Sequence, residues 1–356
     1  MAEEIAIEPT GRNLREVLRY VIGVAIGLLV LVLLFGKRAE LQAAAHQLGH
    51  ADPVWIAAAV ASESVSLLAF ALLQRRALRL SGARLGLGGL YAVTLANDAI
   101  ANTVPGEPAV SSAYRYRYYR RHGAAAPSAG WTIFTVIVAQ AVGMSVVLLL
   151  GVLVALAASA AGGGGRHTGV AVAGLVIVLA SGAVLVRRDL VLRLAAAAAR
   201  GLRRITGGRS DGVIARIEAT LHRMREIPLS ARSTAGVVLL ATAVWGANFG
   251  TLLCAFRAVH GSVPWSGVLL AYGVAEVAGN LPIVPGGIGI IEGSLAVVLV
   301  AYGARHSDAL AATLAFRIVS FWLAIAIGWL TVALLARHSR RSRALPPCPP
   351  GGSRPR

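Results

Sequence analysis

Apolar positions in this chain run in long blocks and do not alternate with polar ones. Stretches long enough to cross ~30 Å of hydrocarbon as helices fall at about 17–35, 54–73, 128–160, 168–186, 233–256 and 309–336. Two more, at about 86–104 and 265–302, are interrupted by Gly, Pro and Asn. The run from Val17 to Phe35 has a cleavage-like Ala43-Ala44-Ala45 after it. It is long for the apolar region of a signal peptide and reads as an anchored first helix. The pattern predicts an all-α polytopic membrane protein with about six full transmembrane helices plus two re-entrant or broken helical hairpins.

Composition agrees with the pattern. Apolar residues make up 56% and charged residues 14%, against about 25% charged in soluble domains, which excludes a water-soluble surface. Thirty-four basic and 16 acidic residues leave a formal charge of +18. Such a charge suits nucleic acid, but the arginines lie between apolar runs, where they face anionic lipid headgroups. Two cysteines, Cys254 in an apolar run and Cys348 in a Pro-rich tail, make no disulfide framework.

Charge also sets sidedness. Arg12 and Arg15, the segments 74–84 and 105–127, the segment 187–232 with eleven arginines and the tail from 337 with six are strongly basic. The segments 36–53, 161–167, 257–264 and 303–308 are nearly neutral. The positive-inside rule puts the basic set, with both termini, on the cytoplasmic side of the plasma membrane. Because 74–84 and 105–127 then share a side, 86–104 must enter and return; 265–302 does the same from the opposite face. A single ordinary span at 86–104 stays open if 128–160 crosses twice. Three parts follow: a cytoplasmic segment 1–15, a transmembrane domain 16–336 containing the basic loop 187–232, and a basic, Pro-rich tail 337–356 with nothing to bury. Within the loop, Ile214, Ile217, Leu221 and Met224 share one helical face, which suits either an interfacial helix or one packed on the span ends.

The two interrupted segments echo each other. The first reads Asp98, Asn102, Pro105, Gly106, Glu107; the second reads Glu276, Asn280, Pro282, Pro285, Gly286, Gly287, Gly289, Glu292. Each has an acid, an Asn four residues later on the same helical face, a proline that breaks the helix, and glycines that let the chain turn. Asn102 and Asn280 are 178 positions apart, half the chain. Matched interruptions in opposite-facing halves point to an inverted repeat and to a transporter's binding region. The two asparagines are expected to bridge the helix breaks.

With Trp245, Asn248, Gly303 and Phe316-Arg317 around it, the second segment resembles the lysylphosphatidylglycerol synthase/flippase transmembrane family, which carries Pro-x-Pro-Gly-Gly-x-Gly-x-x-Glu before a late helix with an Arg. The first segment, with Asn102, Pro105, Gly106-Glu107 and Arg115, is similar to that family's earlier pattern. The resemblance covers about residues 15–336. Where the family often has a Glu-Arg pair in the following helix, Trp131 to Val147 offers Gln140. The resemblance implies a lipid-handling membrane domain that flips an anionic or aminoacylated phospholipid, or a lipid-linked precursor. The alternative is an accessory or scaffold subunit of a lipid-modifying enzyme. Lipid synthesis by this chain alone is not expected, since no aminoacyltransferase domain follows the last span.

Ionisable groups at membrane depth are site candidates by default, and Glu63, Asp98, Glu107, Glu276, Glu292 and Arg317 are such groups. Arg317 and Arg115 are expected to hold a lipid phosphate through their planar forks, with Glu276 and Glu292 balancing their charge or recognising a cationic headgroup. A fixed Arg317–Glu292 structural pair is the competing reading. The expected site is therefore Asn102, Pro105, Glu107, Arg115, Glu276, Asn280, Pro282, Pro285, Gly286, Gly287, Gly289, Glu292 and Arg317. No catalytic set, cofactor motif or metal-ligand spacing is recognisable, His46 and His50 included, so an enzyme is not expected. The partners expected are membrane lipids and their anionic headgroups, not nucleic acid, with a separate lipid-modifying enzyme and a second copy left open. Tyr114, Tyr116, Tyr118 and Tyr119, interleaved with arginines, suit an interfacial belt. Gly82-x-x-x-Gly86 and Gly246-x-x-x-Gly250 suit close helix packing.

Overall fold

A computed structural model describes residues 38–103, 107–162, 230–280 and 285–344. The apolar runs at 17–35 and 168–186, the loop to Leu229, Pro105, Gly106, Pro282 and the tail from Leu345 lie outside the described residues. The described residues form helices and turns without a strand: α1 Arg38–Gly49, α2 Pro53–Leu80, α3 Leu87–Thr103, α4 Glu107–Arg121, α5 Ala126–Gly162, α6 Ala231–Ala258, α7 Val268–Gly279, a tight turn Pro285–Gly287, α8 Ile290–Ala301, α9 His306–Arg317, a π-helical stretch Ile318–Leu323 and α10 Ala324–Ala344. This is an all-α polytopic membrane protein. Among the described residues, four helices are long and apolar enough to cross a bilayer: Pro53–Leu80, Ala126–Ala160, Ala231–Ala258 and His306–Leu335.

The run at 128–160 is one continuous helix of 37 residues, so the reading in which it crosses twice is overturned. Its glycines do not break it because they serve packing. A methyl group at Gly143 would lie 2.6 Å from the Ala241 backbone, and one at Gly151 would lie 2.8 Å from the amide nitrogen of Leu270. The helix α1, in a segment expected only as a neutral connection, buries Ala44 against the α9 side of the core.

The helices α2 and α6 form the antiparallel centre of the bundle. Asp52 caps α2 by accepting from the Val54 amide at 2.8 Å, and Pro53 stands at the first helical position, where its missing N–H costs nothing. The Asp52 amide donates to the Ala258 carbonyl at 2.8 Å at one end of the pair. At the other end Arg76 donates to the Arg232 carbonyl at 3.2 Å. Between them Ser62 and Ser66 donate to the Ala247 and Val244 carbonyls.

Each of α2 and α6 is followed by a pair of helices folded back on one another. α3 and α4 are antiparallel: the open end brings Gly89 against Tyr118, and Thr103, the last residue of α3, and Glu107, the first of α4, stand at the other end. α7 and α8 are antiparallel as well, with Gly267 against Tyr302 at the open end and Gly279 against Gly287 and Ile291 near the tip. α7 and α8 have 12 residues each, about 18 Å of helix, well short of the hydrocarbon thickness. The first pair opens at the end holding Arg76, Ser128 and Arg232. The second opens at the end holding Asp52, Ala258 and Asp308, where Asp308 accepts from Gln47 and from the Ser262 amide.

The two halves repeat in inverted sense. Pro53 and Ala231, Leu80 and Ala258, Gly89 and Gly267, and Asp98 and Glu276 are each 178 positions apart. Contacts between halves obey the same relation: α3 lies on α10, and α7 lies on α5. Each crossing uses a glycine on the long helix, Gly328 beneath Leu95 and Ala99, and Gly151 beneath Leu270.

Candidate functional site

The turn of the second hairpin meets the end of α3. The turn Pro285–Gly287 touches α3, and a methyl group at Gly286 would lie 3.2 Å from the Asn102 carbonyl oxygen. The turn is possible because Gly286, Gly287 and Gly289 have φ of 64°, 61° and 84°, left-handed conformations that cost other residues roughly 1–2 kcal/mol each.

Arg317 fastens this turn to α9. Its Nε donates to Glu292 Oε1 at 2.6 Å and its Nη2 donates to the Gly286 carbonyl at 2.9 Å. The other Glu292 oxygen accepts from the Gly289 amide at 2.6 Å, which places the carboxylate in the first turn of α8, where the helix dipole favours it. The guanidinium lies over the Phe321 ring, 3.9 Å from its centroid, and that ring fills the space beside Gly286. Two donors and one face of Arg317 are therefore engaged within the protein. The Arg317–Glu292 ion pair is thus present, together with a hydrogen bond to a backbone carbonyl.

Among the described residues, both asparagines bond back to their own helices. Asn102 Nδ2 donates back to the Asp98 carbonyl at 2.9 Å and to Asp98 Oδ1 at 3.3 Å. Asn280 Nδ2 donates to the Glu276 carbonyl at 2.8 Å. In both halves the side chain thus bonds back to the carbonyl four residues earlier; the Glu276 carbonyl also accepts from the Asn280 backbone amide at 3.0 Å.

A second polar group sits between α2, α6 and α7. Glu63, 8% exposed, accepts at Oε2 from Asn248 Nδ2 at 2.8 Å and from the Thr251 hydroxyl at 3.1 Å. The Tyr272 hydroxyl donates to Asn248 Oδ1 at 2.7 Å. Asp98 and Glu276 are near enough to act electrostatically on Glu63, and Arg317 and Glu292 act on Glu276. One electrostatic cluster therefore joins both hairpins to the central helices.

Of the expected site residues, Asn102, Glu276, Asn280, Gly286, Gly287, Gly289, Glu292 and Arg317 gather at or beside the contact of the turn with α3. The backbone of Pro285 opens the turn, and that of Glu107 begins α4. Arg115 is buried in α4, 6% exposed. Tyr119 is fully buried and donates to Gln74, which in turn donates to Thr94 at 2.6 Å; only part of the Tyr-Arg stretch can form a belt. His46 and His50 stack on each other. Gly82 and Gly86 have open space around them, not a helix neighbour. Tyr272 and Thr251 are additions that the sequence did not single out; each is a polar residue in a separate apolar run, Thr251 in 233–256 and Tyr272 in 265–302.

An α-helical bundle with two opposed hairpins and ionisable side chains gathered beside their contact defines a multi-pass membrane protein with an internal polar site. The chain belongs to the family described as the lysylphosphatidylglycerol synthase transmembrane region, whose model matches residues 20–328. It is also similar to a UPF0104 membrane protein of Pyrococcus horikoshii, 27% identical over 101 residues, an alignment covering 28% of this chain and 30% of that relative. The chain thus matches under a third of that relative's length.

Proposed function

We propose that this protein translocates a charged lipid, an anionic or aminoacylated phospholipid or a lipid-linked precursor, between the leaflets of the plasma membrane. The observation that carries the reading is the meeting of the Gly286 turn with the end of α3 at Asn102, beside Glu63, Asp98, Glu276, Glu292 and Arg317. Ionisable groups in hydrocarbon cost several kcal/mol, and their retention marks a pathway for polar cargo. Irregular backbone at membrane depth is tolerated only where protein or water shields it, which favours hairpins that dip into the bilayer and return. In this reading the end with Arg76, Arg84, Arg120 and Arg232 faces the cytoplasm, as do both termini, and lipid headgroups are the ligands. Glu63 and Glu276 receive the cationic part of a headgroup, and Arg317 positions the Pro-Gly-Gly turn. The protein transports and performs no bond chemistry.

The test is a flipping assay in proteoliposomes containing headgroup-labelled lysylphosphatidylglycerol, phosphatidylglycerol or a polyprenyl phosphate. The expected result is accelerated exchange of at least one of these, lowered at least tenfold by Glu276→Gln in protein that still elutes as a folded species. Equal rates with and without protein for all three would refute the proposal.

A further inference from the structure

The inverted repeat is not mechanically symmetric. Hairpin α7–α8 is clasped to the helix that follows it: Arg317 holds Glu292 and the Gly286 carbonyl, and Phe321 closes on the turn. The 178-residue relation places Ala139, beside Gln140, where Arg317 stands in the other half, and α5 contains no charged residue at all. Among the described residues, hairpin α3–α4 therefore has no charged clasp to α5; its buried hydrogen bonds join Tyr119 and Thr94 to Gln74 of α2. Its buried cation, Arg115, belongs to α4 itself. Instead α3 lies closely on α10, with Gly328 under Leu95 and Ala99.

The π-helical stretch Ile318–Leu323 separates Arg317 from that contact. A π-turn interrupts the regular hydrogen-bond ladder and is a common place for a helix to bend. One body thus comprises α9, α7 and α8; the other comprises α10, α3 and α4. Their contact across the centre is the approach of Gly286 to Asn102.

We propose that the molecule opens by movement of hairpin α3–α4 together with α10 about the π-helical stretch, while hairpin α7–α8 stays locked to α9 by Arg317. The inference concerns which parts move and does not depend on what lipid, if any, is carried.

Spin-label distance measurements on the full chain in nanodiscs test it, with Cys254 and Cys348 replaced by Ser and labels on exposed or partly exposed positions. Three cysteine pairs are compared in discs of phosphatidylcholine alone and of phosphatidylcholine with phosphatidylglycerol. The pair at Thr103 and Ile288 spans the two bodies, and its distribution is expected to be two-peaked or at least about twice as wide as the others, as a two-state exchange requires. The pairs at Ile288 and Leu314, and at Thr103 and Leu330, each lie within one body and are expected to be narrow. Glu292→Gln, which keeps the side chain's shape while removing its charge, is expected to broaden the Ile288–Leu314 pair alone. The inference is overturned if Ile288–Leu314 is as broad as Thr103–Ile288 with the clasp intact, if all three pairs are narrow in both compositions, or if Glu292→Gln leaves Ile288–Leu314 unchanged. A protein that flips no lipid yet shows the expected widths would overturn the transport proposal and leave this one standing.

Discussion

Glu63 and Arg317 illustrate two ways of keeping a charged residue inside an apolar bundle. Glu63 is held by neutral donors, Asn248 and Thr251, with Tyr272 behind Asn248. Removing the acceptor strands those donors, so Glu63→Ala is expected to cost about 1–3 kcal/mol and lower the melting temperature in detergent. Glu63→Gln keeps an acceptor oxygen and is expected to cost less; equal losses would show that the charge, and not the acceptor, matters. Arg317 is held by a carboxylate and a backbone carbonyl together. Arg317→Ala leaves Glu292 uncompensated, at roughly 3–5 kcal/mol for a buried pair. Arg317→Lys retains the charge but loses the fork that reaches two acceptors at once, so its thermal stability is expected to fall between those of the unsubstituted protein and Arg317→Ala. Both residues stood out in the sequence as ionisable groups in apolar runs. Glu292 already stood there as a candidate partner of Arg317, but the donors to Glu63 were not legible, because Asn248 lies 185 positions from Glu63 and periodicity says nothing about which helices become neighbours.

The hairpins owe their closeness to residues without side chains. At the open end of α7–α8 a methyl group on Gly267 would overlap the Tyr302 ring, and at the open end of α3–α4 one on Gly89 would meet only the Tyr118 hydroxyl end. Gly267→Ala is therefore expected to destabilise by about 1–3 kcal/mol, the usual range for overpacking, and Gly89→Ala by less, since a terminal hydroxyl can swing aside. Thermal unfolding of the two variants in one detergent checks the order, and the reverse order would mean that the hairpins pack differently from this description. The long helices, and the two places where the helical pattern fails, were legible from the length of the apolar runs and from the recurrence of acid, Asn, Pro and Gly. The packing role of individual glycines was not. Gly82 and Gly86 have helix-packing spacing yet face open space, whereas Gly143 and Gly151, in an unbroken apolar run, admit a neighbour's backbone. Spacing shows which residues share a face, but not whether anything lies against it.

Across the whole molecule, the 178-residue relation ties together helix ends, hairpin glycines, acids and asparagines. An inverted repeat of this kind gives each half the fold of the other while presenting it to the opposite face. The charge distribution breaks that equivalence: Arg75, Arg76, Arg79, Arg84, Arg117, Arg120, Arg121 and Arg232 collect at one end, and Arg257 and Arg305 stand at the other. Asymmetric charge orients the chain, and the asymmetric clasp at Arg317 distinguishes the two hairpins. The sequence showed the first asymmetry directly. It concealed the second, because the meaning of Ala139 and Gln140 depends on knowing which position of the other half they match. The most direct test of the central claim, two hairpins entering from opposite faces, is labelling of single cysteines by a membrane-impermeant maleimide in sealed vesicles of known orientation. Cysteines at Gly82 and His122 are expected to react from one face, and cysteines at Gly261 and Gly303 from the other. Reaction of Gly82 and His122 from opposite faces would mean that α3 and α4 do not turn back within the bilayer, and would contradict the account.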